Sequence, residues 1–136
     1  MGKTAVVILL LRTITGILFF FQGYDKLFKI KVSNVVQTFT ESYKRMFPLP
    51  LLSVAVYLSS ITELIAGLML ILGIFKVIAL YALCVDLVLV TLAFSYMRPM
   101  WDMQLFFPRM IFVAALLLLS NFNDPFSIQH LLNLGK

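Results

Sequence analysis

The segment LLSVAVYLSSITELIAGLMLILG, residues 51–73, is followed almost at once by FKVIALYALCVDLVLVTLAFSYM, residues 75–97. Each run is apolar over more than the ~20 residues a helix needs to cross the ~30 Å hydrocarbon layer. Only residues 73–76 join them, so the two helices fold into a tight antiparallel hairpin. Gly73 stands where a helix terminator is expected. Lipid offers a backbone no hydrogen-bond partners, which leaves helices or a closed barrel. Neither run shows the alternation of a barrel strand, so the hairpin is helical.

Outward from this hairpin, residues 4–24 and 102–120 repeat the pattern. The expected fold is therefore all-α, an integral membrane four-helix bundle forming a single transmembrane domain over residues 1–136. The fourth span is short from Leu105 onward, so it is expected to begin near Asp102 as N-cap, with Pro108 either kinking it or marking its first turn. The whole chain agrees with this reading. Of its 136 residues 62% are apolar and only 12% charged, against roughly 25% charged in soluble domains. Mean hydropathy is +1.02. Lys and Arg total 11 against 6 acidic residues, a net charge of +5. Most cations flank apolar runs, where they suit anionic headgroups, so the partners expected are membrane lipids and no nucleic acid. The start at Met1-Gly2-Lys3 imitates a signal peptide, but no small-x-small cleavage site follows and it reads as an uncleaved span.

The connection between the first two spans carries its own period. Val32, Val35, Val36, Phe39, Tyr43, Met46 and Phe47 fall at helical spacing among polar neighbours, which predicts an amphipathic helix over 32–47 lying in the membrane interface. A lid over a ligand cavity is the sharper alternative. A short C-terminal helix is expected over 125–134, with Asp124 as N-cap and Pro125 in the first turn. Lys26, Lys29, Lys31, Lys44, Arg45 and Arg98 lie on one side, and Lys3, Lys76 and Lys136 on the other. The charge count thus favours residues 25–50 on the cytoplasmic side.

Away from the ends, each span holds one charge: Arg12, Glu63, Asp86 and Arg109. At the helical rise Glu63 and Asp86 fall within roughly 2 Å of their span midpoints, Arg12 and Arg109 within roughly 5 Å. The four sum to zero. A lone charge at mid-bilayer costs about 3 kcal/mol on insertion scales, so the four are expected to face one another in a self-satisfied network. Gln22 lies deep enough to want a partner and, with Lys26, completes the set of polar-core candidates. These residues either fix helix register or line a polar pocket for a headgroup, a quinone or a small anion. A proton or ion path is the third option. Gly16, Gly23, Ala66 and Gly67 allow close helix approach.

Several chemistries lack their residues. Cys84 is the single cysteine, which excludes an internal disulfide or a dithiol pair; it reads as a packed apolar side chain. His130 is the single histidine and reads as interfacial, so no metal site and no catalytic residue is assigned.

Arg12-Thr13-Ile14-Thr15-Gly16-Ile17, running into Phe21-Gln22-Gly23-Tyr24-Asp25-Lys26-Leu27-Phe28, resembles the DoxX family of small bacterial four-helix membrane proteins. Glu63-Leu64-Ile65-Ala66-Gly67-Leu68, continuing to Leu72-Gly73, resembles that family's E-x-x-x-G … L-G hairpin, and Arg109 and Asp124-Pro125-Phe126-Ser127 also fit. The resemblance covers most of the chain. It implies a multi-pass protein of the bacterial inner (cytoplasmic) membrane, in a family some of whose members are associated with membrane oxidoreductase complexes, including quinone-linked oxidation of thiosulfate. The leading expectation is a non-catalytic or accessory subunit that joins other membrane subunits or copies of itself and holds lipid or quinone at the polar centre. The alternatives are the membrane subunit of a quinone-linked oxidoreductase and a small oligomeric transporter.

Overall fold

The structure, a computed structural model, describes residues 2–42, 48–97, 103–121 and 124–134. All its regular elements are helical. Helix α1 spans Lys3–Tyr24 and does not stop where the apolar run ends. It passes into a π-helical turn, Asp25–Lys29, in which Ile30 N–H donates to Asp25 O at 2.8 Å. Such turns admit one extra residue per hydrogen bond and recur at functional positions. The helical rod then ends at Lys31, whose φ is 64°.

Helix α2, Val32–Ser42, begins where the sequence period begins. Residues 43–47 of the expected amphipathic stretch lie outside the described residues. Helix α3, Leu49–Leu72, opens after Pro48 with Pro50 in its first turn, where a proline removes no helical hydrogen bond. It closes at Gly73, in left-handed conformation with φ 71°. Gly73 N–H donates to Leu70 O at 3.2 Å and Ile74 N–H to Met69 O at 3.0 Å, the paired bonds of a Schellman stop. Helix α4, Lys76–Met97, follows after two more residues, as the short connection requires. Helix α5, Met103–Leu118, contains Pro108 in its interior and continues as a 3₁₀ turn, Leu119–Asn121. Asp102, the expected N-cap, lies outside the described residues.

The C-terminal helix differs from expectation. Helix α6 is Ile128–Leu134, not 125–134. Its cap is Ser127, whose Oγ accepts the His130 N–H at 3.1 Å. The Asp124 side chain is engaged elsewhere, so it cannot cap.

α1 and α3 run antiparallel and almost touch. A Cβ on Gly23 would stand 2.6 Å from both Leu64 N and Ser60 O, and one on Gly16 would stand 2.9 Å from Gly67 O. Glycine is required on these faces because the opposing atoms are backbone and cannot give way. Around this pair one apolar core forms from Phe19 of α1, Ala66 and Leu70 of α3, Leu80, Leu83 and Leu87 of α4, and Val113 and Leu116 of α5. Half-buried Cys84 packs against it as a small apolar side chain.

The outside is more apolar than a water-facing surface allows. On α4 alone, Ile78, Tyr81, Val85, Leu89 and Leu92 are each more than half exposed, on one side of the helix. Meanwhile Arg12, Glu63, Asp86 and Asp124 are each no more than 6% exposed. That inversion fits lipid as solvent. Two helices, Lys3–Lys29 and Pro50–Leu72, are by themselves long and apolar enough to cross a membrane.

Candidate functional site

Glu63 sits on α3 at the closest passage of α1, 1% exposed. A carboxylate so deep requires donors. Gln22, near the end of α1, donates from Nε2 to Oε1 at 3.0 Å. Lys26, one turn further on, lies in the π-helical turn and bridges both carboxylate oxygens, at 3.0 and 2.9 Å. Had α1 ended at the edge of the apolar run, Lys26 would not hold this position. Its stem is mostly covered, with 21% of the side chain exposed, so the ammonium reaches inward along the apolar α1–α3 seam.

Asp86 of α4 stands beside this group. Lys26 acts on it through space and Ser59 of α3 lies against it. Yet Asp86 Oδ2 is buried with no hydrogen-bond partner, as are Ser59 Oγ and Gln22 Oε1. Arg109 of α5 is half-buried and within electrostatic reach of Glu63. It enters no ion pair within 4.0 Å among the described residues. The cluster is therefore Lys26, Glu63, Asp86 and Arg109, with Gln22 and Ser59 as neutral members. Its formal charge is zero; Glu63 and Lys26 satisfy each other, whereas Asp86 Oδ2 is left without a partner.

Arg12 is not part of it, which corrects the expected quartet. Arg12 Nη1 donates to Asp124 Oδ2 at 3.0 Å, and Nη2 to Phe126 O at 3.3 Å. The two side chains are 3% and 1% exposed. Gly73 makes room for the guanidinium, since a Cβ there would land on Arg12 Nη1. α1 is longer than its apolar run, so a midpoint counted over residues 4–24 assigns Arg12 the wrong depth. From Arg12 to Gln22 is ten residues, about 15 Å along the axis. Lys26, not Arg12, meets Glu63, and Arg12 forms a separate neutral pair with Asp124 at the other end.

Asp124 was legible only as a helix cap. Asp25 stands at the opposite end of α1 from Arg12. Glu63 and Asp86 belong to the other cluster, and Asp124 is the acid that Arg12 meets. Among the described residues no three of His, Cys, Asp and Glu come together as metal ligands would. His130 lies partly exposed on α6, at the rim of a cavity.

Charges buried within, apolar side chains outside and two helices of spanning length define a helical membrane protein. Residues 7–96 match the family model described as DoxX, about two thirds of the chain, and the protein belongs to that family. The matched stretch contains Arg12, Gln22, Lys26, Glu63 and Asp86, and ends before Arg109 and Asp124. No curated protein and no solved structure matches the chain.

Proposed function

We propose that the protein crosses the bacterial cytoplasmic membrane four times. In this reading it is a non-catalytic, accessory subunit of a larger membrane complex and holds the head of a quinone at the Glu63 cluster. The observation that carries the reading is the uneven satisfaction of that cluster. Glu63 accepts three hydrogen bonds. Beside it, Asp86 Oδ2 and Gln22 Oε1 have none, and Arg109 has no counter-ion within 4.0 Å among the described residues. A network serving only to fix helix register would satisfy its own members, because an orphaned buried polar group costs about 1–3 kcal/mol.

The residues fit a quinone. Its carbonyl oxygens suit the Arg109 donors, and the hydroxyls of its reduced form suit the acceptors on Asp86 and Gln22. Depth favours the same ligand over a phospholipid headgroup. Glu63 stands nine residues before Leu72 on α3, about 14 Å inside that end. A quinone supplies two-electron redox chemistry to whatever complex the chain joins; the chain's own part is to bind and orient it.

The element lengths support four crossings. α4 has 22 residues, about 33 Å. The 16 residues of α5 and the three of the 3₁₀ turn that continues it give about 30 Å. α2 then lies in the interface on the cytoplasmic side, at the end carrying Lys26, Lys29 and Lys31.

The test is purification from native membranes in mild detergent, with mass spectrometry of co-purifying chains and solvent-extracted quinones. A reproducible membrane partner and bound quinone are expected. A chain isolated alone and free of quinone contradicts the proposal.

A further inference from the structure

The polar atoms that the Glu63 cluster leaves without partners are sealed in this structure. Asp86 is 6% exposed, and Asp86 Oδ2 and Gln22 Oε1 are both buried. A ligand reaches them only when part of the bundle moves, and the fold limits which part. The α1–α3 seam has no play, because Gly16, Gly23 and Gly67 set backbone against backbone there. Residues 73–75 alone join α3 to α4, and beside Asp86 the inner face of α4 is closed by buried Leu83 and Leu87.

α5 is different. Arg109, Val113 and Leu116 form its inward stripe at helical spacing. Val113 is 1% and Leu116 4% exposed, but Arg109, one turn before Val113, is only half-buried. Phe107, Met110 and Ile111 around it are exposed. The cover over the cluster thus thins toward the start of α5. Pro108 stands at the same point, inside the helix. It has no N–H for the Gln104 carbonyl and its ring crowds that carbonyl, so the first turn of α5 is tied to the rest by one bond fewer and can hinge there.

A quinone is a small polar ring on a long apolar tail. We infer that the ring enters past the start of α5, hinged at Pro108, and that the tail stays in this opening against Phe107 and Met110. The inference rests on the reading of the Glu63 cluster as the seat of the ring. Arg109, within electrostatic reach of Glu63, then lies at the inner edge of the opening. An aromatic ring and a flexible thioether suit an unsaturated isoprenoid chain, and the tail passes from them directly into lipid.

The test uses the full chain in lipid nanodiscs and a ubiquinone analogue with a photoreactive diazirine in its first isoprenoid unit. After irradiation the label is expected on residues 107–110. An analogue that is retained but labels α3 or α4 instead overturns this inference and leaves the seat at Glu63 standing. An analogue that is not retained contradicts both. The second measurement is the rate at which bound analogue exchanges with unlabelled quinone. Pro108→Ala restores the missing helical bond and should slow exchange about fivefold at an unchanged amount bound, as one further hydrogen bond to break on opening implies. Ile78→Ala, on the exposed face of α4, is the control and should leave the rate as it is. An exchange rate that Pro108→Ala does not change, in a variant whose unfolding temperature matches the parent's or exceeds it, also overturns the inference.

Discussion

A double-mutant cycle on Arg12 and Asp124 discriminates between the two ways the buried charges can be paired. In the structure the pair is almost sealed, with side chains 3% and 1% exposed and a 3.0 Å contact. Removing either member leaves the other buried and uncompensated, a loss of about 3–5 kcal/mol. Arg12 has no easy escape, because its side chain is 3% exposed and its Nε is already buried without a partner. Arg12→Ala and Asp124→Ala should therefore each lower stability by about 3–5 kcal/mol, and the double variant by much less than their sum, a coupling of about 2 kcal/mol. The same cycle on Arg12 and Glu63 should be additive to within ~0.5 kcal/mol, since Arg12 lies about 15 Å along α1 from Gln22, Glu63's partner. The assay is reversible unfolding in mixed detergent micelles followed by circular dichroism. Additivity for Arg12 with Asp124, together with coupling above ~1 kcal/mol for Arg12 with Glu63, would refute the assignment.

Glu63→Ala should lower stability by roughly 2 kcal/mol, less than Asp124→Ala, because Lys26 is 21% exposed and its flexible stem can carry the freed ammonium toward the interface; the same unfolding assay ranks the two. Gly23→Ala puts a Cβ 2.6 Å from two backbone atoms of α3, so α1 and α3 must separate, at about 1–3 kcal/mol. Gly2→Ala, with nothing within 4 Å, is the silent control in that experiment. Lys29→Ala removes a 3.2 Å ion pair to Asp25 whose side chains are 69% and 40% exposed, and the midpoint should shift by no more than ~0.5 kcal/mol.

The sequence makes the helices legible because lipid demands long apolar runs, and Gly73 stops α3 where its backbone freedom is needed. Period predicts the start of α2 at Val32 equally well. The polar centre is half legible. Glu63 and Asp86 lie at similar depth because a connection from Gly73 to Phe75 leaves the α3–α4 hairpin no slack. Arg12 is misplaced because a hydropathy run does not mark a helix end. The π-helical turn extends α1 by polar residues and draws Lys26 inward, and hydropathy carries no signature of that turn. Asp124 has a strong local reading as a cap, which hides its long-range one: the two residues of the Arg12–Asp124 pair are 112 apart in sequence. Ser59 gave no sequence signal at all, being one hydroxyl among several in an apolar helix.

The central claim, that the Glu63 cluster holds a quinone through groups the fold leaves unsatisfied, is tested most directly by quinone content. Quinone extracted per chain should be measured for the parent, Arg109→Gln, Asp86→Leu and the Lys29→Ala control, all purified identically. Near-stoichiometric quinone in the parent and control, with most of it lost from Arg109→Gln and Asp86→Leu, is the predicted result. Equal quinone in all four, or none in the parent, would contradict it.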